Sequence, residues 1–298
     1  MAEARYVLLG DRGVLEITGE DRRDFLQGLI SNDTRKLAPN RAIYAAFLTA
    51  QGKYLHDFFL AEIGDAFYLD GEAARLADLK RRLSLYKLRA KVAIADVGER
   101  FAVGAVFGTD ALAALALPNE RGAAAPFADG MAYVDPRLSE LGARLLLPQS
   151  SGETALAARF AKADQDAYDR LRLSLGVPDG SRDLPVEKAI LLEAGFDELN
   201  GVDWEKGCYV GQELTARTKY RALIRKRLMP VKVEGTLPEP GTPVMAGDQA
   251  AGELRSGRGN QALALLRLEA VDEAARSGTP LTSGAARLIP IKPDWAKF

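Results

Sequence analysis

The sequence holds one cysteine and one histidine in 298 residues. A structural zinc site takes four Cys/His ligands, which Cys208 and His56 cannot supply, so no metal site is expected. An iron–sulfur cluster held by a single chain needs about four thiolates. An intramolecular disulfide needs a second cysteine. A Ser-His-Asp triad would have to use His56, and a Cys-His dyad would have to pair it with Cys208. An excess of one charge is also missing: 40 Lys+Arg stand against 41 Asp+Glu, a formal net charge of −1. That balance argues against bulk nucleic acid or an anionic membrane as the main partner. The longest apolar runs, such as Ala111 to Leu117, are far too short to span a bilayer. The opening run breaks at Gly10-Asp11-Arg12 before a signal-peptide core forms. A cytosolic, reducing compartment is expected, where a lone cysteine stays a thiol.

What remains is ordinary globular material, with 47% hydrophobic and 27% charged residues and enough chain for about two domains. A strand over Val14–Ile17 precedes a helix that Thr18 would cap and that would bury Phe25, Leu26, Leu29 and Ile30. Strands over 43–49 and 54–62 flank a turn at Ala50-Gln51-Gly52-Lys53, and a third over 66–70 leads to a helix over 73–87 with Leu76, Leu79, Leu83 and Tyr86 inward. Short strands over 93–96, 101–107, 132–134 and 143–147 follow, with a small helix over 110–116, a loop over 118–130 and helices over 153–161 and 164–175. After Leu228, Gly and Pro punctuate β-like runs over 229–233, 243–245, 251–255 and 262–270, the texture of a small antiparallel barrel or sandwich. Gly257-x-Gly259-x-x-Ala262 matches a dinucleotide fingerprint in letters, but a strand-like run follows it instead of a helix, so it is expected to be a hairpin turn.

Residues 201–227 carry the most specific pattern, with Cys208 inside Lys206-Gly207-Cys208-Tyr209-Val210-Gly211-Gln212-Glu213 and Ala216-Arg217 following. A helix is expected from Gln212, with Glu213 and Arg217 paired at i,i+4. Cys208 would then lie in a glycine-flanked loop before a helix N-terminus, where Lys206 would help to favour the thiolate. The alternative is a buried small hydrophobe, the commonest state of a free cysteine. His56, on a strand and without companions, is expected to be structural.

The octapeptide resembles the signature of the YgfZ family, folate-binding proteins related to the T-protein (aminomethyltransferase) of the glycine cleavage system, whose members support iron–sulfur cluster assembly or maintenance. Asp24-Phe25-Leu26-Gln27-Gly28-Leu29 with Asn32-Asp33, Gln51-Gly52-Lys53 with Asp57, Leu192-Glu193, Leu199-Asn200-Gly201 and Arg225-Lys226-Arg227 also fit. The resemblance implies an α+β, T-protein-like folate-binding fold over 1–227, with subdomains over about 1–91 and 92–227, and a C-terminal antiparallel β-barrel over 228–298. It implies a tetrahydrofolate site at which Glu193, in Leu192-Glu193-Ala194-Gly195, accepts N–H bonds from the pterin. Lys206, Tyr209, Gln212 and Arg217 are expected beside it, and Cys208 is expected to be the reactive or ligating thiol. The partners implied are folate and, transiently, iron–sulfur proteins or their assembly factors. Related aminomethyltransferases also use an aspartate near the folate, which no residue here matches, Asp70 and Asp78 being only in the neighbourhood. That counts against aminomethyl transfer, and folate-dependent aminomethyl or methyl transfer is kept as the enzymatic alternative. The basic stretches Lys80 to Lys91 and Arg217 to Arg227, with six Lys/Arg each, are solvated faces or contacts for an anion such as a polyglutamyl folate tail. An RNA-modification factor is the second alternative.

Overall fold

The computed structural model describes residues 3–221 and 224–298; Ala222 and Leu223, within the second basic stretch, lie outside the described residues. The chain forms two compact units: Met1–Leu48 with Leu55–Gln165 and Leu199–Val210, and Thr49–Tyr54 with Asp166–Glu198 and Gly211–Phe298.

The first unit holds two sheets. One is five-stranded, in the order Ile43–Leu48, Tyr54–Ile63, Ala66–Glu72, Arg12–Thr18 and Ala93–Asp96. Its first two strands are apolar and aromatic runs buried along nearly their whole length, as expected of core strands. The other is six-stranded, in the order Ala161–Lys162, Arg5–Leu8, Phe101–Phe107, Ala143–Pro148, Gly130–Val134 and Ala124–Phe127. The Leu76–Leu85 helix buries Leu76, Leu79 and Leu83, the i, i+3, i+7 stripe.

Several local expectations change in the first unit. Thr18 ends a strand and caps nothing; the Arg22–Gln27 helix starts after Gly19, whose φ of 107° and contact with the Lys91 carbonyl admit no side chain. Tyr86 is 41% exposed because the helix stops at Leu85, although its ring still meets Phe47 edge-on at 5.9 Å. The loop expected over 118–130 contains the strand Ala124–Phe127, an edge strand where Pro126 breaks no interior ladder.

The second unit contains a closed barrel in the order Lys226–Glu234, Gln261–Arg267, Gln249–Arg258, Pro243–Ala246, Leu281–Ser283 and Ala286–Pro290, each neighbouring pair antiparallel. Gly257 pairs with Ala262 across a hairpin, which rules out a nucleotide-binding turn there. The strand expected to reach Ala270 stops at Arg267, and a helix takes over Leu268–Ser277. Glu269 in its first turn and left-handed Gly278 at its end are ordinary helix signals that the apolar run obscured.

The two sheets of the first unit meet through a buried carboxylate. Asp70 Oδ1 accepts from Arg12 Nε at 2.7 Å, and Oδ2 accepts from Arg144 Nε at 3.0 Å. Arg144, Arg137 and Arg12 stack over Phe59 at 4.0, 4.8 and 5.6 Å, and Arg137 is fixed by both oxygens of Asp135. Burial alone would raise the Asp70 carboxyl, but the two guanidinium groups overcome it and hold it below 3.8. Its stabilisation is therefore present above pH 3.8 and lost as the pH falls below that value. Replacing Asp70 by Asn strands two buried guanidinium groups. Urea denaturation is expected to show a loss of about 3–5 kcal/mol; a loss within experimental error would remove this carboxylate from the fold's supports.

Candidate functional site

Cys208 lies where the sequence places it, in an exposed loop of the first unit between Gly207 and Gly211, which adopt φ of 90° and 81°. Among the described residues its thiol has no hydrogen-bond partner. The loop itself is fastened. Lys206, 4% exposed, donates from Nζ to the carbonyls of Gln27 and Ile30 at 2.7 and 2.6 Å, and its ammonium lies 4.9 Å from the centre of the Tyr209 ring. Gln27 Nε2 donates back to the Lys206 carbonyl at 3.1 Å, and the Val210 N–H donates to the Gly28 carbonyl at 3.1 Å. The fastening continues upstream. Asn32 Nδ2 donates to the Asn200 carbonyl, Ser31 Oγ to the Gly201 carbonyl, and the Asp203 N–H to the Ser31 carbonyl. The family-like stretches Asp24–Leu29, Asn32-Asp33 and Leu199–Gly201 are thus the two halves of one hydrogen-bonded seam that presents the thiol.

This arrangement corrects the role expected for Lys206. Its ammonium is directed to backbone carbonyls and makes no hydrogen bond to Cys208. Burial pushes the Lys206 amine down to about 8. Tyr209 is buried against that ammonium. Gln27 and Gly28, quoted within a motif but given no role, are anchors of the loop, and a chemical signal in the sequence alone could not assign them.

Glu193 belongs to the second unit, in the one-turn helix Leu191–Ala194, whose other three residues are buried. The turn is rigidly seated. Arg227 donates to the Leu192 carbonyl at 2.9 Å and to Glu198 Oε2 at 2.7 Å, while Gly195, at φ 73°, lies so close to the Trp295 ring that a Cβ would overlap it. Among the described residues the Glu193 carboxylate has no hydrogen-bond partner. Burial raises its carboxyl pKa, and Lys226, Lys53 and Arg255 offset part of the rise. Gln212 opens the Gln212–Tyr220 helix, and Arg217 on its next turn is paired with Glu213, the surface pair anticipated from their spacing. Arg225, Lys226 and Arg267 line a groove of about 560 Å³ with Ile224, Leu268 and Glu269.

His56 forms no dyad with Cys208. Its Nε2 lies 3.1 Å from Asp78 Oδ2, and burial, with Arg75, pushes the ring down to about 4, so it is neutral at pH 7. Asp78 is raised by burial, but bonds from Arg81, Arg82 and His56 hold it far below the carboxylate range. Asp70 is held between Arg12 and Arg144. Neither aspartate is a free base. Among the described residues no cluster of His, Cys, Asp or Glu could hold a metal ion.

The loop anchor gives a pH signature. Because Lys206 titrates near 8 when folded and near 10.5 when unfolded, the unfolded chain binds more protons between those values, and stability is expected to rise with pH across that window. Lys206→Met should abolish that rise and speed amide exchange at Val210 about tenfold or more, as measured by chemical denaturation and hydrogen exchange. An unchanged Val210 rate would show that the lysine does not hold the loop.

Comparison with known proteins agrees with this architecture. Residues 11–129 match the GCVT N-terminal domain, and residues 225–298 match the CAF17 C-terminal beta-barrel domain. The crystal structure of glycine cleavage system aminomethyltransferase T from Bartonella henselae superposes with a TM-score of 0.77 over 99% of this chain and 87% of that one, at 16% identity, which establishes a shared fold. The mitochondrial iron–sulfur cluster assembly factor IBA57 of Mus musculus is 36% identical over 307 residues, covering 96% of this chain and 84% of the relative. The human IBA57 is 37% identical over 283 residues, covering 88% and 77%. These relatives are mitochondrial proteins, which overturns the expectation of a cytosolic compartment drawn from the lone cysteine and the N-terminal residues: a reducing environment is not unique to the cytosol. They also show that the resemblance to YgfZ proteins was drawn too narrowly. The chain belongs to the family of the IBA57 iron–sulfur cluster assembly factors, with a GcvT-like fold and a CAF17-type C-terminal barrel.

Proposed function

We propose that the protein assists the assembly or repair of iron–sulfur clusters, with the Cys208 thiol offering one ligand or one nucleophile to a cluster carried by a partner. The observation that carries this reading is the state of the chain's one thiol: exposed, without a hydrogen-bond partner among the described residues, on a loop anchored on both sides. A cysteine serving packing is ordinarily buried. One thiolate cannot hold a cluster, but it completes the coordination of one whose other ligands come from elsewhere. The cluster is therefore cargo, and iron–sulfur proteins or assembly factors are the transient partners. The names of the mouse and human relatives support this reading.

Tetrahydrofolate is the proposed cofactor, and the donor set of the second unit fits it. Glu193 is a partly buried acceptor with no bond of its own, suited to the N–H edge of an aminopyrimidine. Arg225, Lys226 and Arg267 in the adjoining groove suit the carboxylates of a glutamate tail, and Gln212 is retained as a folate contact. Lys206 and Tyr209 are assigned instead to holding the thiol loop, and Arg217 to its surface pair. When bound, the folate would supply a carrier for one-carbon units. With Asp70 and Asp78 both occupied by arginines, nothing favours aminomethyl transfer over this reading.

Two variants separate the cofactor from the thiol. Tetrahydrofolate titration should show Glu193→Ala weakened about 10- to 100-fold, the loss of a charged hydrogen-bond acceptor, and Cys208→Ser unchanged. In a strain lacking its own factor, the wild-type chain should restore iron–sulfur enzyme activities and Cys208→Ser should not. Full restoration by Cys208→Ser would refute the thiol's role, and wild-type folate affinity in Glu193→Ala would refute the cofactor's placement.

A further inference from the structure

The first basic stretch ends in a feature that neither the thiol nor the folate reading uses. After the Leu76–Leu85 helix the chain turns over Leu85-Tyr86-Lys87-Leu88-Arg89, with residue exposures of 66% at Leu85, 41% at Tyr86 and 90% at Leu88. These are three of the few large hydrophobic residues exposed among the described ones. The turn is ordered: Tyr86 and Lys87 donate backbone N–H groups to Leu83 and Ser84, Ala90 donates to Lys87, and the Tyr86 ring is braced edge-on against Phe47. Leu88 adopts φ of 41°, a left-handed conformation that a branched side chain resists and glycine accepts. Folding gains nothing from a strained leucine whose side chain stands in water, so the residue's value lies in what it meets.

The charge around it is of one sign. No acidic residue occurs between Asp78 and Asp96. Arg81 and Arg82 share the single carboxylate of Asp78, and Lys91 pairs with Glu20, but among the described residues Lys80, Lys87 and Arg89 have no carboxylate partner. An apolar knob with unpaired cations beside it is the pattern of a protein-interface anchor, in which apolar side chains fill the core of the contact and the charges pair at its polar rim. A membrane is the weaker fit, because stable anchoring takes more buried hydrocarbon than one acyl chain supplies, and this tip offers less.

We propose that Leu85, Tyr86 and Leu88 form a docking knob for a partner protein that presents an apolar pocket rimmed by Asp and Glu. As a site for the cluster-carrying partner, it rests on the assembly reading; the contact itself does not.

Leu88→Gly, Leu88→Asp and the pair Lys87→Glu/Arg89→Glu test it. Leu88→Gly removes the strained conformation and should raise the melting temperature, yet in the deletion strain it should lower restored iron–sulfur enzyme activity about tenfold, as should the other two. Wild-type restoration by all three would overturn the proposal, as would a fall that merely followed lost stability. If the wild-type chain restores nothing, the assembly reading fails and photo-crosslinking decides the knob. A benzophenone amino acid at Leu88 should give an adduct in cells whose partner peptide is rich in Asp and Glu, and Lys87→Glu/Arg89→Glu should abolish it. No adduct, an adduct indifferent to that charge reversal, or an adduct to a second copy of this chain would overturn the proposal. So would Leu88-dependent sedimentation with phosphatidylcholine–phosphatidylglycerol vesicles, which would identify the tip as a membrane contact.

Discussion

A single buried ammonium determines how this protein displays its sulfur. Lys206 bonds to the carbonyls of Gln27 and Ile30, both exposed by the short Arg22–Gln27 helix and the chain leaving it. Carbonyls at a helix end have no partner within the helix, so a cation there satisfies groups that would otherwise be stranded. The same bonds fix a segment that contains two positive-φ glycines and would have little conformational preference by itself. Holding Lys206 and Val210 leaves only Gly207, Cys208 and Tyr209 between fixed points, and Tyr209 is buried. Exposure of the thiol follows from the anchoring of everything around it. A reactive group held this way approaches a partner with little ordering cost, which a mobile tail would incur at every encounter.

Asp70 plays the corresponding part deeper in the first unit. It draws Arg12 from one sheet and Arg144 from the other onto one carboxylate, with Phe59 beneath the guanidinium groups. The strand Ile43–Leu48, which accepts the Asn32 side-chain bond through Tyr44, belongs to the sheet so fixed. The related aminomethyltransferase fold is therefore kept, while an aspartate considered for chemistry is occupied with structure. In the second unit Arg227 and Trp295 do similar work for the turn that carries Glu193.

Much of this was legible from the sequence. Long apolar strands such as Ile43–Leu48 and Phe101–Phe107, the Leu76–Leu83 stripe and the glycine-flanked cysteine carry their own signals. Arg5–Leu8, Ala124–Phe127, Leu281–Ser283 and Ala286–Pro290 were not legible, because strands this short show too few alternations to stand out from a loop, and Arg5–Leu8 also pairs only with strands distant in sequence. Lys206 shows the same limit within the site. Proximity along the chain suggested a cation for the thiol, whereas its carbonyl partner Ile30 lies 176 residues away. The compartment was misread for a different reason: a lone thiol reports a reducing environment and not its location.

The central claim is that the fastened loop delivers Cys208 to a cluster held by another protein. Its most direct test is the alkylation of Cys208, followed by mass spectrometry, in the protein isolated with its partner before and after anaerobic cluster loading of that partner. The thiol should label freely beside the empty partner and be protected when the cluster is present. Equal labelling in both states would contradict the account.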